Sequence, residues 1–157
     1  MKYFEFLHIA SLINQILDTT PLLFGSLGLE KRLNKNLDAD DIDVLIPEMI
    51  LNKSWNRLID MMKKDGYRLC NEKEHEFIKN DIRVVFASVE GLVAFAQVDI
   101  SSISLIEENG IRFYLLELDD YLKVYRASSK DGYRRNVKNK QDQQKIDLIK
   151  KAIEQYN

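Results

Sequence analysis

The feature that most constrains the fold is a pair of short apolar segments separated by a charged segment with helical spacing. Residues 21–24 (PLLF) end at a Gly-Ser pair, and residues 42–47 (IDVLIP) follow an aspartate. Between them, Leu29 and Leu33 lie four residues apart with charged residues between, which predicts a short helix over residues 27–36. The sequence therefore predicts a strand, a turn, a helix and a second strand, in that order.

Two aspartates open the second strand. Asp41 and Asp43 are two residues apart, so a strand projects both carboxylates from the same face. The residues that face the core are Ile42, Val44 and Ile46. Two like charges this close repel, but a divalent cation between them makes the pair favourable, and oxygen ligands suit Mg²⁺ or Mn²⁺. We therefore predict a metal site at these two carboxylates.

The Gly-Ser turn supplies the complementary half of such a site. Gly25 lets a phosphate group approach the backbone, and the Ser26 hydroxyl can donate a hydrogen bond to it. The helix that follows offers its N-terminal amides to an anion. Gly25 and Ser26 are therefore the predicted binding site for a triphosphate, beside the metal pair.

A two-metal site needs a further carboxylate, because the ion that activates the attacking hydroxyl lacks a full set of phosphate ligands. Asp99 is the candidate, since it lies in an apolar segment interpreted as a strand, residues 92–102, where an acid is costly unless it is ligated. Asp81 competes for this role, but it lies at a predicted hairpin tip and is interpreted as a turn residue. Asp38 and Asp40 precede the strand and are interpreted as solvated loop acids.

The rest of the chain predicts further helices and strands around this unit. One helix is predicted over residues 4–18 and another over residues 54–66, with Ser54 as its N-cap and Gly66 as its stop. The predicted strands that follow are residues 67–73, 74–79, 82–88, 92–102 and 111–116, and the closing helices are residues 117–129 and 139–157. The fold class is therefore α/β or α+β, a mixed sheet of about five or more strands flanked by helices. We predict a single domain over residues 1–157.

Composition and charge exclude several classes of protein. The hydrophobic fraction of 45% is that of a globular protein, and the apolar runs stop short of a membrane span. Glu5 and His8 interrupt the N-terminal segment, so we expect a cytoplasmic protein without membrane contact. Cys70 is the only cysteine, which excludes an internal disulfide and a cysteine metal cluster. The net charge of −2 argues against a general nucleic-acid binder. The basic residues 130–140 are expected to form either a solvated loop or a contact with phosphate or acceptor.

The motifs FGS and DDIDVLI, followed by a lone aspartate, resemble the nucleotidyltransferase superfamily with the DNA polymerase beta-like fold. The likeness is strongest to small bacterial members. These include the aminoglycoside and lincosamide nucleotidyltransferases, the abortive-infection and toxin–antitoxin transferases, and the head domain of CCA-adding enzymes. The resemblance implies the phosphate turn at Gly25 and Ser26, the metal pair at Asp41 and Asp43, and the third carboxylate at Asp99.

The chain departs from the minimal transferases after the phosphate turn. Those proteins have an arginine within the next few residues, where this chain has Leu27-Gly28-Leu29. Triphosphate binding is therefore expected to fall to Lys31, Arg32 or the basic tail.

The resemblance implies a magnesium- or manganese-dependent enzyme that moves a nucleoside monophosphate from an NTP, such as ATP, to a hydroxyl acceptor and releases pyrophosphate. The acceptor is a small molecule, a protein or an RNA end. Because 157 residues leave little room for an acceptor-binding domain, a second copy or a partner protein is expected to complete that wall. The alternative function is a non-catalytic binding or regulatory module of the same fold, as in a toxin–antitoxin pair.

Overall fold

The structure is a computed structural model that describes residues 2–130 and 139–156. The helices are α1 (Lys2–Ile16), α2 (Gly25–Leu33), α3 (Glu48–Lys53), α4 (Trp55–Lys64), α5 (Val89–Ala96), α6 (Leu118–Lys130) and α7 (Asn139–Tyr156), with a 3₁₀ turn at Ile100–Ser102. The strands are β1 (Leu22–Phe24), β2 (Asp41–Ile46), β3 (Arg68–Asn71), β4 (Glu76–Lys79), β5 (Ile82–Ser88), β6 (Ser104–Glu108) and β7 (Ile111–Leu115).

The seven strands of the described residues form one mixed sheet in the order β3-β4-β5-β2-β1-β7-β6. Strand β1 runs antiparallel to β2 and pairs Phe24 with Asp43. On its other side β1 runs parallel to β7. Strand β2 runs parallel to β5 and pairs Asp43 with Val85. The second aspartate of the DID motif is therefore flanked on both sides, by β1 and by β5, at the centre of the sheet.

Each face of the sheet carries a hydrophobic core, because successive residues of a strand point to opposite faces. Leu23 and Val44 belong to the larger core, which α1 and α4 help to form. Leu22 and Leu45 belong to the second core, to which α5, α6 and α7 contribute. Asp43 is two residues from Leu45, so its carboxylate lies on the face that carries the second core.

Helix α2 packs closely against β1 and α6. A Cβ atom at Gly28 would overlap the Tyr121 hydroxyl and lie 2.8 Å from the Leu23 carbonyl oxygen. At the other end of the helix, Arg32 donates a hydrogen bond from Nε to the Leu116 carbonyl oxygen, at 2.9 Å. These two contacts fix the helix that follows the Gly-Ser turn against the centre of the sheet.

The mixed α/β fold predicted from the sequence is confirmed, and β1, α2 and β2 occur in the predicted order. The strand predicted over residues 92–102 is wrong, because this segment contains the end of α5 and the 3₁₀ turn. Ser88 caps α5 by accepting a hydrogen bond from the Gly91 amide at 3.0 Å, and Gln97 ends it in the left-handed conformation, with φ 54°. A continuous apolar run has the same appearance in a partly buried helix as in a buried strand.

Smaller predictions differ in outcome. Ser54 precedes α4 as predicted, but its side chain makes no capping hydrogen bond. Gly66 follows α4 with φ 94°, as expected of a stop signal. Asp81 lies in the turn between β4 and β5, as predicted. Strand β6 occupies a segment for which the sequence predicts no strand.

The basic segment at residues 130–140 has its centre, residues 131–138, outside the described residues, so both of its expected roles stay predictions. In the ranges 2–130 and 139–156, no helix combines the length and the apolar character that crossing a bilayer requires.

Candidate functional site

A cavity of about 530 Å³ lies on the face of the sheet that carries the second core. Gly25, Ser26, Asp41 and Asp43 all line it. Its volume is within the range of about 300–1,000 Å³ that is usual for small-ligand sites. Four residues that the sequence predicted to act together therefore share one cavity. Below, the residues of β1, α2 and β2 are called its floor, those of β5 and α5 its side wall, and those of α6 and α7 its roof.

The floor brings Gly25 of the predicted phosphate turn (Gly25 and Ser26) into contact with Asp43 of the predicted metal pair (Asp41 and Asp43). Gly25 has φ +66°, in the left-handed region that favours glycine. A Cβ atom there would overlap the Asp43 carboxylate and lie 3.0 Å from its Cγ atom. The backbone of the turn thus approaches the carboxylate more closely than any other residue type permits.

The first turn of α2 completes the floor. The residue at its N-cap position is Phe24, and no side chain makes a capping hydrogen bond there. The first amides of a helix carry partial positive charge and bind anions when no cap occupies them. Ser26 lies within this first turn and lines the cavity, so a phosphate group has amide and hydroxyl donors on the same side.

The roof consists of two helices that a buried hydrogen bond connects. Ser128 of α6 donates to the Asp142 carboxylate of α7 at 3.0 Å, and both residues are buried. Lys145 of α7 lines the cavity and holds its ammonium group 5.2 Å from the centre of the Tyr125 ring. The roof therefore contributes a cation and an aromatic ring opposite the acidic floor.

The side wall is apolar. Val85 and Ala87 of β5 line the cavity beside the two aspartates of β2, and Leu92 and Phe95 of α5 continue this surface. Phe95 is 49% exposed, so its ring is accessible from the cavity and from solvent. The aspartates therefore lie between a phosphate turn on one side and an apolar surface on the other.

Asp99 is not in the cavity. It lies at the N-cap position of the 3₁₀ turn rather than on a strand, and it is exposed. Its Oδ1 atom accepts hydrogen bonds from the Ser101 hydroxyl at 2.7 Å and from the Ser101 amide at 3.0 Å. These two bonds lower the pKa of the Asp99 carboxyl. The structure therefore does not bring Asp99 together with Asp41 and Asp43, and it gives the Asp99 carboxylate a local capping role.

Lys31 and Arg32 also lie away from the cavity. The Lys31 ammonium group pairs with Glu108 at 2.8 Å and lies 4.7 Å from the centre of the Tyr3 ring. The Arg32 guanidinium lies 3.5 Å from the Glu117 carboxylate, in addition to its bond to the backbone after β7. Both cations are engaged at the β7 and β6 side of the sheet, so the expectation that they reach a triphosphate at Gly25 is not supported.

Most residues that line the cavity were not predicted from the sequence, and Asp40, Lys145 and Phe95 are three of them. Asp40 lines it next to the metal pair, although the sequence suggested only a solvated loop acid. Lys145 belongs to the helical pattern of residues 139–157, where the lysines were expected on the solvent side. Phe95 belongs to the segment that was predicted to be a strand. Only the last had a local signal, since Ser88 is an N-cap residue type and Glu90 suits a first helical turn.

The donor set of the floor fits a hard divalent cation. Asp41 and Asp43 are half-buried on one face of β2 and offer carboxylate oxygens, which Mg²⁺ and Mn²⁺ prefer. Across residues 2–130 and 139–156, no group of three or more histidine, cysteine and carboxylate side chains is arranged to hold a metal ion. Mg²⁺ commonly binds through one or two carboxylates together with water and substrate phosphates, so a two-carboxylate floor is compatible with it.

No family model matches the chain. The uncharacterized protein YnaI of Bacillus subtilis (strain 168) is 43% identical to it over 151 residues, which cover 96% of this chain and 97% of YnaI.

Two solved structures share the fold. The crystal structure of ANT(2″)-Ia in complex with adenylyl-2″-tobramycin matches with a TM-score of 0.64 at 12% identity, over 98% of this chain and 90% of the other. A solution structure of the antibiotic-resistance factor ANT(2″)-Ia matches with a TM-score of 0.54 at 15% identity, over 96% and 90%. At these identities the likeness is one of fold.

Proposed function

This chain belongs to the same protein family as YnaI and has the nucleotidyltransferase fold, and from that premise we propose that it transfers a nucleoside monophosphate from an NTP to a hydroxyl acceptor and releases pyrophosphate. The observation that carries the proposal is the shared cavity of Gly25, Ser26, Asp41 and Asp43. A phosphate turn and a carboxylate pair in contact are the two halves that a metal-bound triphosphate requires.

Asp41 and Asp43 are the residues that would hold Mg²⁺ or Mn²⁺. A divalent cation bound there would supply charge neutralisation for the phosphates. The carboxylate of Asp43 is kept in position by its contact with Gly25 and by the pairing of β2 with β1 and β5. The protein contributes position, and positioning together with electrostatic stabilisation supplies most of catalysis in phosphoryl-type transfer.

The triphosphate is held by the turn and by the roof. Gly25 allows its backbone to approach a phosphate, and Ser26 and the first amides of α2 donate hydrogen bonds to it. Lys145 is the cation that we assign to the triphosphate in place of Lys31 and Arg32, because it lines the same cavity. A cation in the roof and amides in the floor hold the phosphate chain from two sides, which orients the α-phosphorus toward the acceptor.

The second candidate function is nucleotide binding without transfer. It is favoured by one observation, the exposed position of Asp99 and its hydrogen bonds to Ser101. In that case metal and NTP bind at the floor, and the complex acts as a regulatory or partner-binding module.

Thermal unfolding with metal and nucleotide tests the floor. A ligand that binds only the native state stabilises it by about 2.7 kcal/mol at 100 times its Kd. We expect Mg²⁺ or Mn²⁺ to raise the Tm and ATP with metal to raise it further. Asp41→Asn with Asp43→Asn is expected to remove both effects, and Asp99→Asn, as a matched control, is expected to retain them.

If only Asp99→Asn loses the rise in Tm, Asp41 and Asp43 are not the metal ligands and Asp99 is. A wild-type protein whose Tm is unchanged by metal and nucleotide would overturn both candidate functions. Turnover separates the two candidates, since α-labelled ATP transfers label to an acceptor only if the first is correct.

A further inference from the structure

The metal pair separates two chemically different halves of the cavity. Strand β2 lies between β1 and β5, and Asp43 faces Phe24 on one side and Val85 on the other. Gly25 and Ser26 follow directly on Phe24, so the phosphate turn belongs to the β1 side. The side wall of Val85, Ala87, Leu92 and Phe95 belongs to the β5 side.

The in-line geometry of the proposed reaction places one substrate in each half of the cavity. This step rests on the proposed function, in which the triphosphate is bound at the Gly-Ser turn. In displacement at phosphorus, the attacking and leaving oxygens lie roughly in line through the phosphorus atom. With pyrophosphate leaving on the β1 side, the acceptor hydroxyl must approach the α-phosphorus from the β5 side. The side wall is then the acceptor subsite.

The side wall specifies the chemistry of the acceptor. Its surface consists of two aliphatic side chains on β5 and of Leu92 and the half-exposed Phe95 ring on α5. The Ser88 hydroxyl, which also lines the cavity, accepts the hydrogen bond of the Gly91 amide that caps α5. An apolar wall with an accessible aromatic ring favours a flat, uncharged partner. We propose that the acceptor is a phenol, an uncharged aromatic ring whose own hydroxyl is the nucleophile, and that Phe95 positions the ring.

The reaction of a phenol is balanced without a further reactant. The phenolic oxygen forms a bond to the α-phosphorus, and the bond from that phosphorus to the α,β-bridging oxygen breaks. The bridging oxygen leaves with pyrophosphate, and the phenolic proton passes to solvent water. Val85, Ala87, Leu92 and Phe95 cannot accept a proton. A phenol loses its proton near pH 10, compared with 15.7 for water, so it depends less on a base in the wall.

Equilibrium binding tests the proposal independently of turnover. The protein is saturated with Mg²⁺ and α,β-methylene-ATP, and N-acetyltyrosine amide is titrated into the complex, with N-acetylserine amide and tobramycin as alternative acceptors. We expect the tyrosine derivative to bind and the other two to bind at least tenfold more weakly. Phe95→Ala is expected to weaken binding of the tyrosine derivative about tenfold, since aromatic pairs contribute beyond their buried area. Phe95→Tyr is expected to retain it.

Phe4→Ala is the matched control, because Phe4 is 71% exposed on α1 and does not line the cavity. It is expected to bind the tyrosine derivative like the wild type. If α,β-methylene-ATP and metal bind but the tyrosine derivative does not, the acceptor proposal is wrong and the proposed function is unaffected. Equal binding of the serine derivative, or full binding by Phe95→Ala, also overturns it. If metal and nucleotide themselves do not bind, the proposed function fails first.

Discussion

The Asp43 carboxylate fills the space that a side chain at Gly25 would occupy. The overlap is with the carboxylate oxygen Oδ2, and the Cβ atom of Asp43 lies 3.3 Å from the same position. Because φ at Gly25 is also positive, this residue is constrained both by its own backbone and by its neighbour. The two motifs, which one helix separates in the sequence, are thus joined by one contact in the structure.

Replacement of Gly25 tests this contact. We expect Gly25→Ala to weaken metal-dependent nucleotide binding strongly, because the new methyl group displaces the Asp43 carboxylate. Gly110→Ala is a matched control, since Gly110 has φ +79° and open space around it. We expect both variants to lose about 1–2 kcal/mol of unfolding free energy, because alanine is strained in the left-handed region. Urea unfolding measures this loss. Only Gly25→Ala is expected to lose binding, and equal binding by both variants would contradict the contact.

Exchange of two lysines tests the triphosphate assignment. Lys145→Gln is expected to weaken binding of ATP with Mg²⁺ about tenfold, because a charge-assisted hydrogen bond is worth about 1.5–3 kcal/mol. Lys31→Gln removes a partly exposed pair with Glu108 and is expected to leave ATP binding unchanged and to reduce stability by less than about 1 kcal/mol. Isothermal titration of ATP with Mg²⁺ into both variants decides whether Lys145 of the roof or Lys31 of α2 binds the triphosphate. A loss confined to Lys31→Gln would restore the expectation from the sequence.

Removal of a buried hydroxyl is expected to stabilise the protein. Tyr121 is fully buried against α2, and its hydroxyl lacks a hydrogen-bond partner within the described residues. Burial raises the pKa of this hydroxyl well above its ordinary value, so it stays neutral. Tyr121→Phe is expected to raise the free energy of unfolding by up to about 1 kcal/mol.

Tyr67 is a second buried tyrosine, and its hydroxyl, unlike that of Tyr121, has a hydrogen-bond partner in the described part of the chain. The Tyr67 hydroxyl donates a hydrogen bond to Glu5 at 2.6 Å. Tyr67→Phe is therefore expected to lower the free energy of unfolding by about 1.5–3 kcal/mol, because the bond is to a charged group. Urea unfolding of both variants measures the difference, and the same sign for both would refute the account.

Acid is expected to destabilise the contact between α1 and the β3–β4 region. Burial raises the pKa of the Glu5 carboxyl, but hydrogen bonds from Lys79 at 2.8 Å and from Tyr67 outweigh it, and the net pKa lies below 4.5. A carboxyl with a lowered folded pKa stabilises the protein above its unfolded pKa, and this stability is lost as the pH falls through the folded value. Glu5→Gln is expected to reduce the slope of unfolding free energy below about pH 4.5.

Glu72→Gln serves as the control for this titration, since Glu72 is exposed in the turn between β3 and β4. It is expected to keep the wild-type slope between pH 3 and pH 6. If Glu5→Gln has the same slope as the wild type, the network does not contribute to acid unfolding.

The fold was predictable where spacing and turn chemistry agree. The helix with Leu29 and Leu33 and the strand that begins at Asp41 follow from local patterns, and both are present. Gly25 and Ser26 were predicted to form a turn before that helix, but they are its first two residues. The segment around Phe95 was not predictable from its apolar run, because helices and strands that are apolar on all sides look alike in sequence. The decisive signal was the cap at Ser88, which lies outside the run.

Of the residues that line the cavity, the sequence predicted only those of the floor. Gly25, Ser26 and the aspartates are close in sequence, and their geometry follows from one turn and one strand. Lys145 reaches the cavity because α7 packs on the second core, and no local pattern reports where a helix packs. Asp99 was misplaced because its role depended on a strand that does not form.

The hydrogen bond between Ser128 and Asp142 makes the two roof helices a unit, and that unit packs against the floor through the second core. We expect the roof to open by sub-global unfolding while the sheet stays intact. A nucleotide that contacts Ser26 below and Lys145 above would clamp the two parts together. Amide protons of α7 far from any ligand atom would then exchange more slowly with deuterium when nucleotide is bound.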